Sequence, residues 1–251
     1  LNTNGVALEE HADTIGKIGF DKVKVSIDTL TSGKFVNPNS RDMKDLTHQV
    51  LVGVESIKRR NIPVRINMVV GKYNVDEVSK MIDFCEDNDF ELKLFDITFY
   101  RDALSKNPSF WRENYISFVP LLEELRNKYG EPRIVYAVGG FGNPMPVFRT
   151  DSLSPIRLRI SETSAQYREE CIGCQDYICQ DGFCNLTVTT DGDMKPCRPE
   201  GLDFNLGLVD KEGNVLPLRQ VEKKVEKAIE LFQGTTKRER TLEEMILSWK
   251  K

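Results

Sequence analysis

No apolar run in these 251 residues approaches the roughly 20 residues that a membrane-crossing helix needs, and no signal peptide is visible. Charge of one sign is lacking as well: 35 lysines and arginines stand interspersed against 39 acids, for a net charge of −4. There is no basic field to attract nucleic acid, so neither a membrane nor a nucleic acid is expected as a partner. Histidine is nearly missing. His11 and His48 fall on helical patterns and read as surface or packing residues. A glycine-rich phosphate loop, a Ser-His-Asp set and an H-E-x-x-H helix are absent. The acid pairs Glu9-Glu10 and Glu169-Glu170 read as solvated faces rather than acid/base pairs. Internal repeats and low-complexity segments are absent too. What remains is an ordinary composition, 39% hydrophobic and 29% charged, with enough chain for a large core or two unequal domains. The expectation is a soluble cytoplasmic protein. The chain starts at Leu1 without a methionine, in the middle of what reads as structure, so it is expected to be an excerpt of a longer protein.

Cysteine is the residue that is concentrated. Five of the six lie between positions 171 and 197, at Cys171, Cys174, Cys179, Cys184 and Cys197, the first four spaced C-x2-C-x4-C-x4-C. After Cys184 the run NLTVTT is β-prone, Asp191-Gly192 favours a tight hairpin turn, and MKP leads back to Cys197. Such a hairpin juxtaposes Cys184 and Cys197. Three chemistries compete for the group. Disulfides would leave one of five cysteines unpaired and suit a secreted chain. Structural zinc would close a tetrahedron of four thiolates, but only Cys171-Cys174 has the tight knuckle spacing. An iron–sulfur cluster accepts looser spacings and needs three or four thiolates. Spacing does not separate zinc from iron–sulfur.

Along the chain, LNTNG reads as a strand end and a turn. Leu8, Ala12, Ile15 and Ile18 recur at helical spacing, with Gly19 as the stop. DKVKVSID alternates, with Val23, Val25 and Ile27 on one face. Ser40 is expected to cap a helix running to about Arg60. PVRINMVVG is the next strand. NVDEVSKMIDFCEDNDF is a helix with Asn74 as its cap and Asp76-Glu77 favouring the macrodipole of its first turn. ELKLFDITF is a further strand. This alternation predicts βα units around a parallel sheet, with ligands at the carboxyl ends of its strands, where Gly5, Asp28, Asn67 and Thr98 lie. Beyond residue 100 the pattern predicts one helix from Ser109 to Tyr129 with Phe118, Leu121, Leu122 and Leu125 buried. It then predicts β-prone segments in which Gly139-Gly140 form a turn, the cysteine stretch, and two helices at about 217–233 and 241–249. The reading is an α/β fold: a partial βα domain over residues 1–130 and a small α+β cysteine-rich domain over 131–251.

The runs NTNG, VSIDTL, PVRINMVVGKYNVDE, LKLFDIT and FCNLTVTTDGDMKPC occur in one order over nearly the whole chain. They resemble the radical S-adenosylmethionine enzymes, in particular the GTP 3′,8-cyclases of molybdenum-cofactor biosynthesis. The resemblance implies an open, TIM-like partial barrel covered by a C-terminal domain that carries an auxiliary [4Fe–4S] cluster. It also implies a first [4Fe–4S] cluster on a C-x3-C-x2-C loop. No such motif is present, and the remaining cysteine, Cys85, reads as helix core. The motif is expected a few tens of residues upstream of Leu1. The implied activity is a 5′-deoxyadenosyl radical, formed with an external electron donor, that abstracts a substrate hydrogen.

Carried over by position, Ser26 matches a serine that contacts S-adenosylmethionine. Thr3 and Asn4, in NTNG, and Thr98, in place of a methionine, are placed on the cofactor side. Arg65 replaces a lysine that contacts substrate phosphate, and its guanidinium suits phosphate or carboxylate. Asn67 and Asn74 match asparagines of the family; Asn67 is placed with Arg65 on the substrate. Asn2 stands where the cyclase has a threonine. The five clustered cysteines are the metal ligands, Cys184 and Cys197 matching family positions. The chain departs from the cyclases in lacking two arginines after Cys184, where it has NLTV, and in ending SWKK. The substrate is therefore left open between GTP, another small molecule and a peptide. The alternative is a non-catalytic βα protein with structural zinc.

Overall fold

In VKVS and VRINMVV every second residue is aliphatic, and in extended chain that puts Val23, Val25, Val64, Ile66, Met68 and Val70 on one side, none more than 3% exposed. A computed structural model describes residues 1–32, 46–97, 109–136, 144–150, 154–160, 186–195 and 206–233. Contacts divide the chain into two compact units. The first comprises Leu1–Ile97, Ser109–Arg133 and Pro146–Arg159; the second comprises Thr98–Pro108, Ile134–Met145 and Ile160–Lys251. Pro146–Arg159 thus pack with the first unit, beyond the boundary expected at residue 130.

In chain order the first elements are β1 (Asn2–Thr3), α1 (Leu8–Ile18), β2 (Val23–Ser26), α2 (Thr47–Lys58), β3 (Val64–Val70), α3 (Val78–Asn88) and β4 (Glu91–Asp96). They are followed by α4 (Phe110–Asn114), α5 (Val119–Tyr129), β5 (Arg133–Tyr136), β6 (Pro144–Arg149) and β7 (Pro155–Arg159). The sheet order is β1-β2-β3-β4-β7-β6-β5. Strands β1 to β4 and then β7 are parallel, and β6 is antiparallel to β7. Parallel neighbours need a crossover, which α1, α2 and α3 supply. This is the mixed α/β architecture, with a mostly parallel sheet, that the alternation predicts.

Helix α1 buries Leu8, Ala12 and Ile15 and stops at Gly19, whose φ of 77° suits the left-handed cap. Its close approach to α2 depends on Gly53, where a Cβ would lie 2.7 Å from the Leu8 Cβ and 3.1 Å from the Gly5 carbonyl oxygen. Gly5 turns the chain from β1 into α1 at φ +85°, and a Cβ there would lie 2.7 Å from Val50 Cγ1 and 2.8 Å from Val25 Cγ1.

Three sequence expectations are corrected. Helix α2 begins at Thr47 after a Leu46 that offers no side-chain cap; Ser40 lies outside the described residues. The predicted 109–129 helix is two, α4 and α5, with Tyr115 extended between them. Pro120 has no N–H to donate and its ring excludes the carbonyl four residues back, so the helix restarts with the proline in its first turn. Phe118, Leu122 and Leu125 form the buried stripe as expected. Finally, Asn74 does not cap with its side chain; a 3₁₀ turn, Val75–Glu77, precedes α3.

The described part of the second unit contains a hairpin, β8 (Thr187–Val188) with β9 (Met194–Lys195), and a helix, α6 (Leu218–Gln233). The turn is not centred on Asp191-Gly192. Gly192 N–H donates to the Thr189 carbonyl at 3.1 Å and Thr189 N–H to the Asp193 carbonyl at 2.8 Å. Gly192, at φ 84°, is therefore the left-handed residue that closes a longer loop. Met194, Leu206 and Ala228 are the buried residues of this unit's described core, with Leu208, Val225 and Leu231 against them. The predicted helix at 241–249, Gly139-Gly140 and Glu169-Glu170 lie outside the described residues. No described helix is long and apolar enough to cross a membrane.

Candidate cofactor and substrate face

The polar residues that alternate with the buried ones share the opposite side of the sheet, and strand register aligns them in rows. Ser26 pairs with Asn67, Asn67 with Lys93, and Lys93 with Arg157, so one residue from each of β2, β3, β4 and β7 forms a row. At ~4.8 Å per strand the row spans roughly 14 Å. A second row runs Lys24, Arg65, Glu91, and a third Val69, Phe95, Arg159.

The end of the first row on β2 and β3 is neutral. Ser26 is exposed at the carboxyl end of β2. Asn67 Oδ1 is buried and has no hydrogen-bond partner among the described residues. Arg65 does meet a carboxylate, but it is that of its own cross-strand neighbour. Its Nε donates to Glu91 Oε2 at 2.7 Å and its guanidinium approaches the same oxygen at 2.6 Å. Lys22 Nζ takes the other Glu91 oxygen at 2.5 Å. Burial pushes the Glu91 carboxyl up, but the hydrogen bonds and charges of Lys22 and Arg65 outweigh it and hold it below its ordinary range. Arg65, expected on the substrate, is thus paired with Glu91 in this structure.

The β4–β7 end is cationic. Lys93 lies over the Phe95 ring at 4.6 Å from the centroid. Desolvation, with the positive charges of Arg159, Arg65, Arg157 and Lys24, pushes its ammonium down to about 8.

The rim beyond β2 and β3 is locked by long-range hydrogen bonds. Asn74 is 1% exposed. Its Nδ2 donates to the Asp28 carbonyl at 2.7 Å and the Val69 carbonyl at 2.9 Å, while its Oδ1 accepts from Gly71 N–H at 2.9 Å. Asp28 Oδ1 accepts from Val69 N–H at 2.8 Å; burial raises its carboxyl despite this bond. Glu77 is also buried, and accepts from the Thr29 hydroxyl at 2.8 Å and Leu30 N–H at 3.0 Å. It fixes the loop after Ser26 rather than simply facing a helix dipole. Burial, and the nearby Asp28, raise Tyr73 to about 12.

Thr3 and Asn4 shape the turn after β1. The Thr3 hydroxyl accepts from Gly5 N–H at 3.1 Å and Asn4 Oδ1 from Val6 N–H at 3.2 Å. Thr3 is in register with Val25, on the apolar side of β2, whereas Ser26 faces the other way. Thr98, Cys171, Cys174, Cys179, Cys184 and Cys197 lie outside the described residues. Cys85 is core, its thiol pushed up to about 12 by burial and then by Glu86. Among the described residues no group of three or more His, Cys, Asp or Glu is placed to hold a metal. Lys93, Arg157 and Glu91 were missed from sequence, although KLK in ELKLFD and RLR in PIRLRI put basic residues on one face of each strand.

A mostly parallel βα sheet with one apolar side and a polar row across the other is an α/β architecture that offers one candidate ligand face. The probable GTP 3′,8-cyclase of Pyrococcus abyssi is 33% identical over 125 residues, covering 49% of this chain and 39% of that protein. The probable GTP 3′,8-cyclase of Sulfurisphaera tokodaii is 25% identical over 247 residues, covering 93% and 64%. The chain is thus similar in sequence to GTP 3′,8-cyclases, and it spans 39% and 64% of the length of these two. No protein-family model matches it. The solved structure of native anSMEcpe with bound AdoMet aligns with 92% of this chain and 71% of its own, at 17% identity and a TM-score of only 0.34.

Proposed function

We propose that this chain belongs to a radical S-adenosylmethionine enzyme with cyclase-like activity, and that its polar sheet face holds the cofactor and a substrate. The observation that carries the reading is the buried Asn67 Oδ1, without a partner among the described residues, in register beside the exposed Ser26. An orphaned buried acceptor is costly unless a donor arrives. S-adenosylmethionine offers such donors in its amines and ribose hydroxyls, so these residues fit it. Bound there, that cofactor would supply the hydrogen-abstraction chemistry of the radical S-adenosylmethionine enzymes. Ser26 and Asn67 orient the cofactor. The Asn74, Asp28 and Glu77 bonds hold the strand ends still around it. Thr3 and Asn4 fix the turn that flanks it.

S-adenosylmethionine binding to the protein expressed from its complete gene and reconstituted anaerobically with iron and sulfide tests this. Asn67→Ala is expected to weaken binding about tenfold, equivalent to ~1.4 kcal/mol, measured by titration calorimetry. Unchanged affinity in both Asn67→Ala and Ser26→Ala would remove these residues from the cofactor site.

The cysteine stretch is proposed to hold an auxiliary [4Fe–4S] cluster. Cys184 and Cys197 stand three residues before Thr187 and two after Lys195 of the paired strands. Anaerobic metal analysis is expected to give iron with sulfide, reduced in Cys184→Ala and Cys197→Ala. One zinc per chain without iron would favour the structural-zinc alternative.

A further inference from the structure

The β4–β7 end of the row gathers Lys93 and Arg157 beside one acid, Glu91, that three cations share. Arg157 is largely buried, its side chain 18% exposed, and its Nε has no hydrogen-bond partner among the described residues. The carboxylate oxygen that approaches that nitrogen, Glu91 Oε2, is 3.7 Å away and already accepts from Arg65. The second Glu91 oxygen is taken by Lys22. Glu91 is therefore committed, and so is Arg65. Lys93, in register with Arg157, is acted on by four charges, Arg159, Arg65, Arg157 and Lys24, all positive. Like charges gathered on a half-buried face repel strongly, and the depression of Lys93 to about 8 records that repulsion together with desolvation. Burying a guanidinium nitrogen without an acceptor adds a further cost. Both costs fall if an oxygen anion sits between Lys93 and Arg157. A guanidinium presents a planar fork of donors that matches a carboxylate or phosphate, and an ammonium adds a point charge beside it.

We propose that Lys93 and Arg157 form the subsite for an oxyanion of the substrate, a phosphate or a carboxylate, at the end of the row away from Ser26. This rests on the reading of the same face as the ligand-binding side. Lys93 lies two strands from Ser26, about 10 Å at the usual strand spacing. The substrate then lies along the row, its acid group on β4 and β7 and its reacting part towards Asn67 and Ser26. Arg65 acts indirectly, by donating to the Glu91 oxygen that lies nearest Arg157.

Calorimetric titration of the full protein with tripolyphosphate and, separately, with citrate tests the subsite without any catalytic turnover. At least one probe is expected to bind, with affinity falling tenfold or more in Arg157→Gln and Lys93→Gln and unchanged in the exposed control Lys223→Gln. Arg157→Lys, which keeps the charge, should recover much of the loss and show that the site, rather than the fold, was damaged. Binding of tripolyphosphate alone assigns a phosphate, citrate alone a carboxylate; either supports the subsite. Absence of binding by both probes, or binding indifferent to Arg157 and Lys93, overturns it. S-adenosylmethionine affinity measured on the same samples separates the two readings. If it is retained while the probes fail, only the oxyanion subsite falls. If both fail, the reading of the face falls as well.

Discussion

Asn74→Asp should destabilise the protein by about 4 kcal/mol, although aspartate and asparagine are nearly equivalent as helix caps. The reason lies in what the amide does. Nδ2 serves two carbonyls, of Asp28 and Val69, and Oδ1 serves the Gly71 N–H. Aspartate can keep the last bond but turns a carboxylate oxygen towards two carbonyl oxygens. Each stranded, buried carbonyl costs about 1–3 kcal/mol, and repulsion adds to that. Asn74→Ala should cost slightly less, because it removes the bonds without the repulsion. Urea unfolding followed by circular dichroism measures both. A loss under 1 kcal/mol in Asn74→Asp would mean that the residue is only a local cap. The rim would loosen as well, since the Asp28–Val69 bond beside it depends on the same strand ends.

The opposite sign is expected for Lys93→Met, which should stabilise the ligand-free protein by about 2 kcal/mol at pH 7. Burial and four neighbouring cations lower the Lys93 ammonium from 10.5 to about 8 in the folded chain. The unfolded chain therefore binds more protons between those two pH values, and wild-type stability rises with pH across that window. Below pH 8 the full penalty is present, roughly 3 kcal/mol at ~1.4 kcal/mol per pH unit. Methionine removes it while keeping the aliphatic packing, and forfeits the contact with the Phe95 ring, worth about 0.5–1 kcal/mol. Thermal melts at pH 7 and pH 10 check the sign: the advantage of the variant should shrink at the higher pH. An equal or larger advantage at pH 10 would contradict it. A residue that weakens the fold by standing where it does is a sign of a site kept for binding.

Sequence reveals these features unequally. The strands were legible because alternation is a local signal, and Val23, Val25, Ile66 and Met68 are buried as it demands. Helix α1 was legible to its last residue because Gly19 ends it. The two-helix form of 109–129 was available in Pro120, but a continuous apolar stripe argued the other way. Asn74 was misread because Asn followed three residues later by Glu imitates a capping pattern. Its partner Asp28 lies 46 residues away, and no local rule reports such a bond. The pairing of Arg65 was hidden for the same reason: Glu91, 26 residues on, becomes its neighbour only once β3 and β4 take their register. The cationic end of the row needs two registers at once, β3 with β4 and β4 with β7, and sequence carries neither. The five clustered cysteines are legible in sequence and lie outside the described residues.

One contact at this rim gives the protein an optical gauge. The Trp111 indole N–H donates to the Ile97 carbonyl at 3.0 Å, at the carboxyl end of β4, and its ring stacks on Tyr115 at 4.5 Å between centroids. The chain has two tryptophans, so Trp249→Phe leaves Trp111 as the single indole emitter. Its fluorescence colour depends on the hydrogen bond and the local field, and its brightness on the stacked phenol. Emission from that one ring therefore tracks whether the end of β4 is ordered, and changes in its lifetime on ligand addition would time events at the rim without any attached dye.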